Sequence, residues 1–323
     1  MTRLPVIHVG YHKTATTWFQ KTFYPIVQNG VYIPRQNVRR AFLCPSAFTF
    51  DADEAHNTLD IPEGARPIIC EEALVGYYGN AGLLQALSKD VAFRLRDTFP
   101  DAQIVITLRH QFDAITATYL QYIRRGGTAS VRRFLWPYHY QRRYRTKPFK
   151  KPMFRLEHLE YHRLIRHYRA VFGAGNVHIY LYEDFRDDPR AFLARMCRDL
   201  GLEADIDALE LGATNISYGT RTAQAARMLN VVTVGDAANA ITALPLMPRK
   251  VNEVIMQQLN RTPLAGPKVT PDRLLGPALR DELAAAYADS NAALQAELGL
   301  DLARHGYPLP ADGTAPGTAR DAA

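Results

Sequence analysis

The chain has 323 residues, 47% apolar and 22% charged, an ordinary globular composition that excludes collagen-like and intrinsically disordered classes and allows a large buried core. Its net charge of +7 is concentrated. Between Ala114 and Leu156 stand eleven Lys or Arg and no Asp or Glu, which leaves the remainder mildly acidic and points to an anionic partner near that stretch or to a solvated basic face.

In chain order, Leu4 to Val9 is short, apolar and β-branched, and Gly10 breaks it before Thr14 to Tyr24, a run with helical capacity. A second strand, Pro67 to Cys70, ends in Glu71-Glu72. Leu83 to Phe99 carries apolar residues at helical spacing, and the strand Gln103 to Leu108 ends in Arg109. Val177 to Tyr182 is a further strand, and Pro189 to Gly201 reads as a helix with Pro at its start and Gly past its end. Strands alternating with helices predict an α/β fold, a parallel sheet flanked by helices on both faces. One domain over residues 1–307 is expected, with a disordered tail over 308–323. The start has no signal-like apolar region and nothing approaches 18 consecutive apolar residues, so a cytoplasmic location is expected. The three cysteines, Cys44, Cys70 and Cys197, form no CxxC pair and predict reduced thiols without a zinc cluster.

In open α/β sheets ligands bind beyond the carboxyl ends of the strands. Gly10 to Thr17, Glu71 with Glu72, and Arg109 should therefore converge on one crevice. The segment Gly10-Tyr-His-Lys13-Thr14-Ala15-Thr16-Thr17-Trp18 sets a lysine and three hydroxyls between a strand and a helix start, where backbone amides and the helix dipole favour an oxyanion. It is not a Walker A loop, because His12 stands where that pattern needs a second Gly before the lysine.

From His8 to Gln20 the sequence H-V-G-Y-H-K-T-A-T-T-W-F-Q resembles the first signature of the sulfotransferases that use 3′-phosphoadenosine 5′-phosphosulfate (PAPS), a strand followed by K-[ST]-G-T-T-x-[LF]-Q. Ala15 replaces Gly, and as an L-residue it is expected to keep φ below zero, in helical or extended geometry. The resemblance covers about residues 4 to 230 and implies a P-loop-like fold with PAPS as sulfuryl donor. It implies that Lys13, Thr14, Ala15, Thr16, Thr17 and Trp18 hold the phosphosulfate. Arg109 would hold the 3′-phosphate together with a Ser about eight residues on. That position is Ala117, so Thr116 or Thr118 is the candidate hydroxyl. Asn215 and Ser217 resemble an N-x-S segment that closes over the cofactor in bacterial members, and Tyr182 to Phe185, Y-E-D-F, resembles a structural region of the family.

Transfer to a hydroxyl calls for a carboxylate base, and Glu71 and Glu72 stand at a strand end. Members that act on glycans carry a strand-end Glu followed five residues later by two aromatics. Counting five from Glu72 reaches Tyr77-Tyr78, which favours Glu72, with the other carboxylate paired or solvated. Lys13 would neutralise the leaving phosphate, and no metal is expected. The acceptor is expected to be a glycan, glycolipid or small-metabolite hydroxyl. From Arg124 to Arg155 the aromatics Trp136, Tyr138, Tyr140, Tyr144 and Phe149 interleave with Arg and Lys, including Arg142, Arg143 and Arg145. This stretch is read as an entrance for an anionic glycan or glycolipid, compatible with peripheral membrane contact. A small-molecule P-loop kinase and a basic RNA-binding protein are the alternatives, although no nucleic-acid partner is expected.

Overall fold

The computed structural model describes residues 4–76, 81–136, 154–209, 211, 217–235, 237 and 244–311, with backbone alone over 81–86. Its strands are β1 (Val6–Gly10), β2 (Val31–Tyr32), β3 (Pro67–Cys70), β4 (Gln103–Leu108), β5 (Val177–Leu181), β6 (Thr233–Val234) and β7 (Met247–Pro248). Its helices begin with α1 (Thr16–Trp18), α2 (Arg35–Phe42), α3 (Ala52–Leu59), α4 (Ala81–Thr98), α5 (Gln111–Arg124) and α6 (Val131–Leu135). Then follow α7 (Tyr161–Phe172), α8 (Tyr182–Asp187), α9 (Pro189–Leu200), α10 (Thr220–Leu229), α11 (Arg249–Asn260) and α12 (Pro271–Leu298). The contacts divide the chain into two compact units, one of residues 1–77, 85–109 and 161–214 and one of 78–84, 110–160 and 215–323.

The first unit holds a five-stranded, wholly parallel sheet in the order β2-β3-β1-β4-β5. Parallel strands covered on both faces read as unbroken apolar runs, and β1 and β3 are buried at every residue. Two buried polar residues meet inside that sheet, His8 of β1 and Thr107 of β4. His8 is fully buried between the Tyr24 hydroxyl, 2.9 Å from Nδ1, and the Thr107 hydroxyl, 3.0 Å from Nε2, and burial lowers its pKa to about 3. Phe19, Phe23, Tyr24, Phe192, Leu193 and Met196 form the apolar layer over one part of the sheet. Each such large side chain contributes about 1.5–3 kcal/mol by leaving water. Arg66 is buried too. Its guanidinium donates to the carbonyls of Leu4 (2.6 Å), Leu200 (2.7 Å) and Gly201 (2.8 Å), joining the entry of β1 to the end of α9. At that end Gly201 takes the left-handed conformation, as a helix-ending glycine does, while Asp188 caps the start by accepting from the Ala191 amide.

Two expectations differ in detail. The run after Gly10 is α1, then a π-helical stretch Phe19–Phe23, then a 3-10 turn Tyr24–Ile26, because Pro25 has no N–H to continue the ladder. Strand β5 stops at Leu181, and Y-E-D-F opens α8, whose first turn carries Glu183 and Asp184, the charges a helix start favours.

The second unit is built on α5, α6, α10, α11 and α12, with the parallel pair β6-β7. Buried Asn230 donates to the carbonyls of Ile123 and Gly127, both 2.8 Å away, and accepts from Asn252 (2.7 Å). Gly127 is required beside Tyr122, since a Cβ there would lie 2.3 Å from the ring. Buried Asn291 donates to the Pro308 carbonyl (2.9 Å), so the chain is packed through that residue, and 312–323 of the expected tail lie outside the described residues. No described helix is long and apolar enough to cross a membrane.

Candidate functional site

Strand β1 is the middle of the sheet, with β3 on one side and β4 on the other, so the three segments that end in Gly10, Glu71-Glu72 and Arg109 are neighbours. Gly10 has φ +115, and a Cβ there would come within 3.1 Å of the Glu72 Cα. Glycine therefore lets the loop leave β1 directly against Glu72. The Tyr11 amide still donates to Thr107 O, and the loop then turns sharply. Lys13 and Ala15 are both left-handed, with φ 68 and 63. The Thr14 hydroxyl donates to Tyr11 O, and the amides of Trp18 and Phe19 donate to Ala15 O.

Ala15 thus corrects the expectation of a negative φ. It stands at the N-terminal cap of α1 with φ 63 and ψ 17, the geometry that the glycine of the resembled signature adopts freely. A left-handed residue followed by a right-handed helical one turns successive backbone N–H groups toward a common side, an arrangement that suits an anion. Thr16 is buried in the first turn and Thr17 is exposed. Trp18 donates its amide to Ala15 O, and its ring packs on Phe19 and Phe185 at 5.3 and 5.0 Å.

Arg109 reaches back to this loop. Its Nη1 donates to Lys13 O (2.7 Å), its guanidinium lies 4.7 Å from the centre of the Tyr182 ring, and Tyr161 donates its hydroxyl to the Arg109 carbonyl (2.6 Å). The Arg109 Nε is buried without a partner, an unmet donor on a permanent cation. Such a group costs about 1–3 kcal/mol when unsatisfied, which suits a position that an anion completes.

The two glutamates are held by residues that sequence reasoning missed. Glu71 is fully buried. Arg35 donates to it through Nε (2.9 Å) and Nη2 (3.2 Å), Arg39 through Nε (2.7 Å) and Nη2 (3.1 Å), and the Ala73 amide adds a fifth bond (2.9 Å). Burial alone would raise its pKa, but these donors outweigh it and hold the carboxyl below its ordinary value. Glu72 is paired as well, with Arg35 Nη2 at 2.7 Å and Gln20 Nε2 at 3.0 Å. The expectation that one carboxylate pairs while the other faces the site is therefore revised: both are paired, and they differ in burial, with the Glu72 side chain 14% exposed and that of Glu71 not at all. The available signal was Arg35 and Arg39 at i, i+4, one face of a helix.

The remaining candidates belong to the second unit or fall outside the described residues. Thr116 and Thr118 belong to α5 in the second unit, both buried, and the hydroxyl of each has no hydrogen-bond partner. Ser217 is in that unit too, where its carbonyl accepts from Asn260 (3.2 Å). Asn215, Tyr77-Tyr78 and the stretch 137–153, with Tyr138, Tyr140, Tyr144, Phe149, Arg142, Arg143 and Arg145, lie outside the described residues. At the edges of that stretch Arg132 stacks over Trp136 at 5.5 Å, and Phe154 is buried against Phe134 at 4.9 Å.

Residues 89–206 match a family model described as "Sulfotransferase family". That span runs from within α4 past the end of α9 and begins well after the Lys13 loop. No curated protein sequence matches the chain. Among solved structures, a sulfotransferase from Alicyclobacillus acidocaldarius aligns over 94% of this chain and 99% of its own at 18% identity, with a TM-score of 0.55. Mouse sulfotransferase SULT7A1 complexed with PAP aligns over 93% and 87% at 13% identity, with a TM-score of 0.45. The sheet whose central strand opens into an anion-suited lysine loop thus runs into a segment, residues 89–206, that matches the sulfotransferase family model, on a fold shared with a bacterial sulfotransferase.

Proposed function

We propose that the protein transfers a sulfuryl group from PAPS to a hydroxyl of a glycan, glycolipid or small metabolite. The observation that carries this reading is the loop at the end of β1, with left-handed Lys13 and Ala15, Arg109 bonded to the Lys13 carbonyl, and Glu72 packed against Gly10. The residues present fit a bisphosphorylated nucleotide, since the loop presents amides and one lysine and Arg109 keeps an unmet buried donor. When bound, that nucleotide supplies the activated sulfuryl group.

The chain's own residues then divide the work. Lys13 neutralises charge on the leaving phosphate, and the loop amides with Thr16 and Thr17 orient the phosphosulfate oxygens. Arg109 binds the 3′-phosphate. A Glu72 carboxylate oxygen takes the proton of the acceptor hydroxyl, the general-base role of a group beside the loop. The test is transfer of labelled sulfate from PAPS to a panel of methyl glycosides, glycolipids and simple alcohols, with PAP binding measured separately by calorimetry. Wild-type protein should bind PAP and label at least one acceptor. Lys13→Ala should lower turnover by about 100-fold to 1,000-fold, and Glu72→Gln should lower turnover far more than PAP affinity. Wild-type protein that neither binds PAP nor transfers sulfate, or full activity in Glu72→Gln, would refute the assignment.

A further inference from the structure

A carboxylate that takes a proton from a bound hydroxyl must keep one orientation, and the two oxygens of Glu72 are held separately. Oε1 accepts from Arg35 Nη2 at 2.7 Å, and Oε2 accepts from Gln20 Nε2 at 3.0 Å. The same Gln20 nitrogen donates to the Cys70 carbonyl at 3.0 Å. Both amide hydrogens of Gln20 are thereby used, and its orientation follows from the network: the opposite flip would point the amide oxygen at a carboxylate and a carbonyl together.

Gln20 is 5% exposed and belongs to the π-helical stretch that continues directly from α1, six residues after Thr14 of the loop. Arg35 is fixed in turn. Its Nε and Nη2 rest on Glu71, which Arg39 and the Ala73 amide anchor. Burying a polar amide that bonds only a backbone carbonyl and one carboxylate is costly unless the geometry is specified.

We infer that Gln20 and Arg35 are positioning residues, a two-sided clamp that sets the Glu72 carboxylate and, through Gln20, couples it to the helical segment carrying the Lys13 loop. This rests on the reading of Glu72 as the base. Each carboxylate oxygen accepts through one lone pair in the clamp and keeps another for the proton. A misplacement of about 1 Å at such a group costs on the order of 100-fold in rate, so the clamp acts on turnover and not on nucleotide binding.

The experiment is a double-mutant cycle read by labelled-sulfate transfer to the acceptor panel, PAP calorimetry and thermal unfolding. Gln20→Ala in the wild-type background should lower kcat by about 10-fold to 100-fold and leave the Kd for PAP within about 2-fold. In the Glu72→Gln background the same change should alter kcat by less than about 2-fold, because the group it positions is gone. Arg35→Lys, at a side chain one-third exposed, keeps the charge and should retain more activity than Arg35→Ala, which covers the case in which Gln20→Ala does not fold. In ligand-free protein carrying carboxyl-labelled glutamate, the Glu72 NMR signal, identified by its loss in Glu72→Gln, should move in Gln20→Ala and in Arg35→Ala. An equal fall in kcat in both backgrounds, or an unmoved Glu72 signal, overturns the clamp while leaving Glu72 as base. Full activity in Glu72→Gln removes the base and the clamp with it.

Discussion

Replacing Ala15 by Gly should stabilise the fold slightly, a result opposite to the usual effect of a glycine beside a helix. Ala15 sits at φ 63 and ψ 17, where an L-side chain crowds the backbone at a cost of about 1–2 kcal/mol. Glycine removes that cost. Against it stand the greater freedom of the unfolded glycine chain, about 0.4–1 kcal/mol, and the loss of a methyl that packs on the apolar layer around Phe19, about 0.5 kcal/mol for a half-buried group. The balance runs from a loss of about 0.5 kcal/mol to a gain of about 1 kcal/mol, centred on a slight gain, or up to about 4 °C in Tm for a unit of this size. Ala15→Val provides the opposite arm, since a β-branched residue is a severe outlier in this region and should lose about 2 kcal/mol or more. Urea unfolding with both variants measures the difference. A loss above about 1 kcal/mol in Ala15→Gly, or a valine variant as stable as the alanine parent, would refute the left-handed assignment and the anion-suited shape built on it.

Arg109→Ala should weaken PAP binding by about 10-fold to 150-fold, the worth of charge-assisted hydrogen bonds; calorimetry within about 3-fold of wild type would remove Arg109 from the nucleotide site. The depressed pKa of Glu71 stabilises the fold above the ordinary value of 4.5, and this contribution is lost as pH falls through the depressed folded value. Glu71→Gln should cost about 2–3 kcal/mol at neutral pH, discounted for the partly exposed Arg35 and Arg39, and should flatten the acid limb below pH 4.5; an unchanged limb would refute the pairing. His8 acts higher in pH. Its folded pKa is about 3 against 6.5 ordinarily, so protonation favours the unfolded chain below pH 6.5, by about 1.4 kcal/mol per pH unit and about 2 kcal/mol by pH 5. His8→Gln should remove that slope between pH 6.5 and 5, and denaturant titrations that keep it would place the effect elsewhere.

The strands β1, β3 and β4 are legible because a parallel strand buried on both faces is a continuous apolar run, and each ends at a glycine or a charge; the edge strand β5 is marked by the glycine-rich turn before it. Strand β2 escaped notice: two residues, one of them exposed, make no pattern. The strand-end residues could be named in advance since sheet order makes their segments neighbours. Their partners could not. Arg35 and Arg39 bind Glu71 because α2 docks beside the end of β3, a tertiary fact that no local spacing encodes. Ala15 illustrates the opposite limit, where local preference pointed to negative φ and the tight exit from β1 imposed the left-handed geometry.

The buried guanidinium of Arg66 carries a consequence for synthesis. Its acceptors at Leu4, Leu200 and Gly201 lie at the two extremes of the first unit's sequence, and the chain leaves that unit at Arg109 and returns only at Tyr161. On the ribosome, β1, β3 and β4 emerge long before α9, and until Gly201 is out Arg66 has only part of its shell. At about 5–20 residues per second this delay is on the order of five to twenty seconds. During that interval β4 is a bare sheet edge awaiting β5, the kind of surface that pairs with other chains. The nascent first unit therefore exposes an unpaired strand edge until β5 is made, and the shell of Arg66 closes late, with the appearance of a single helix end.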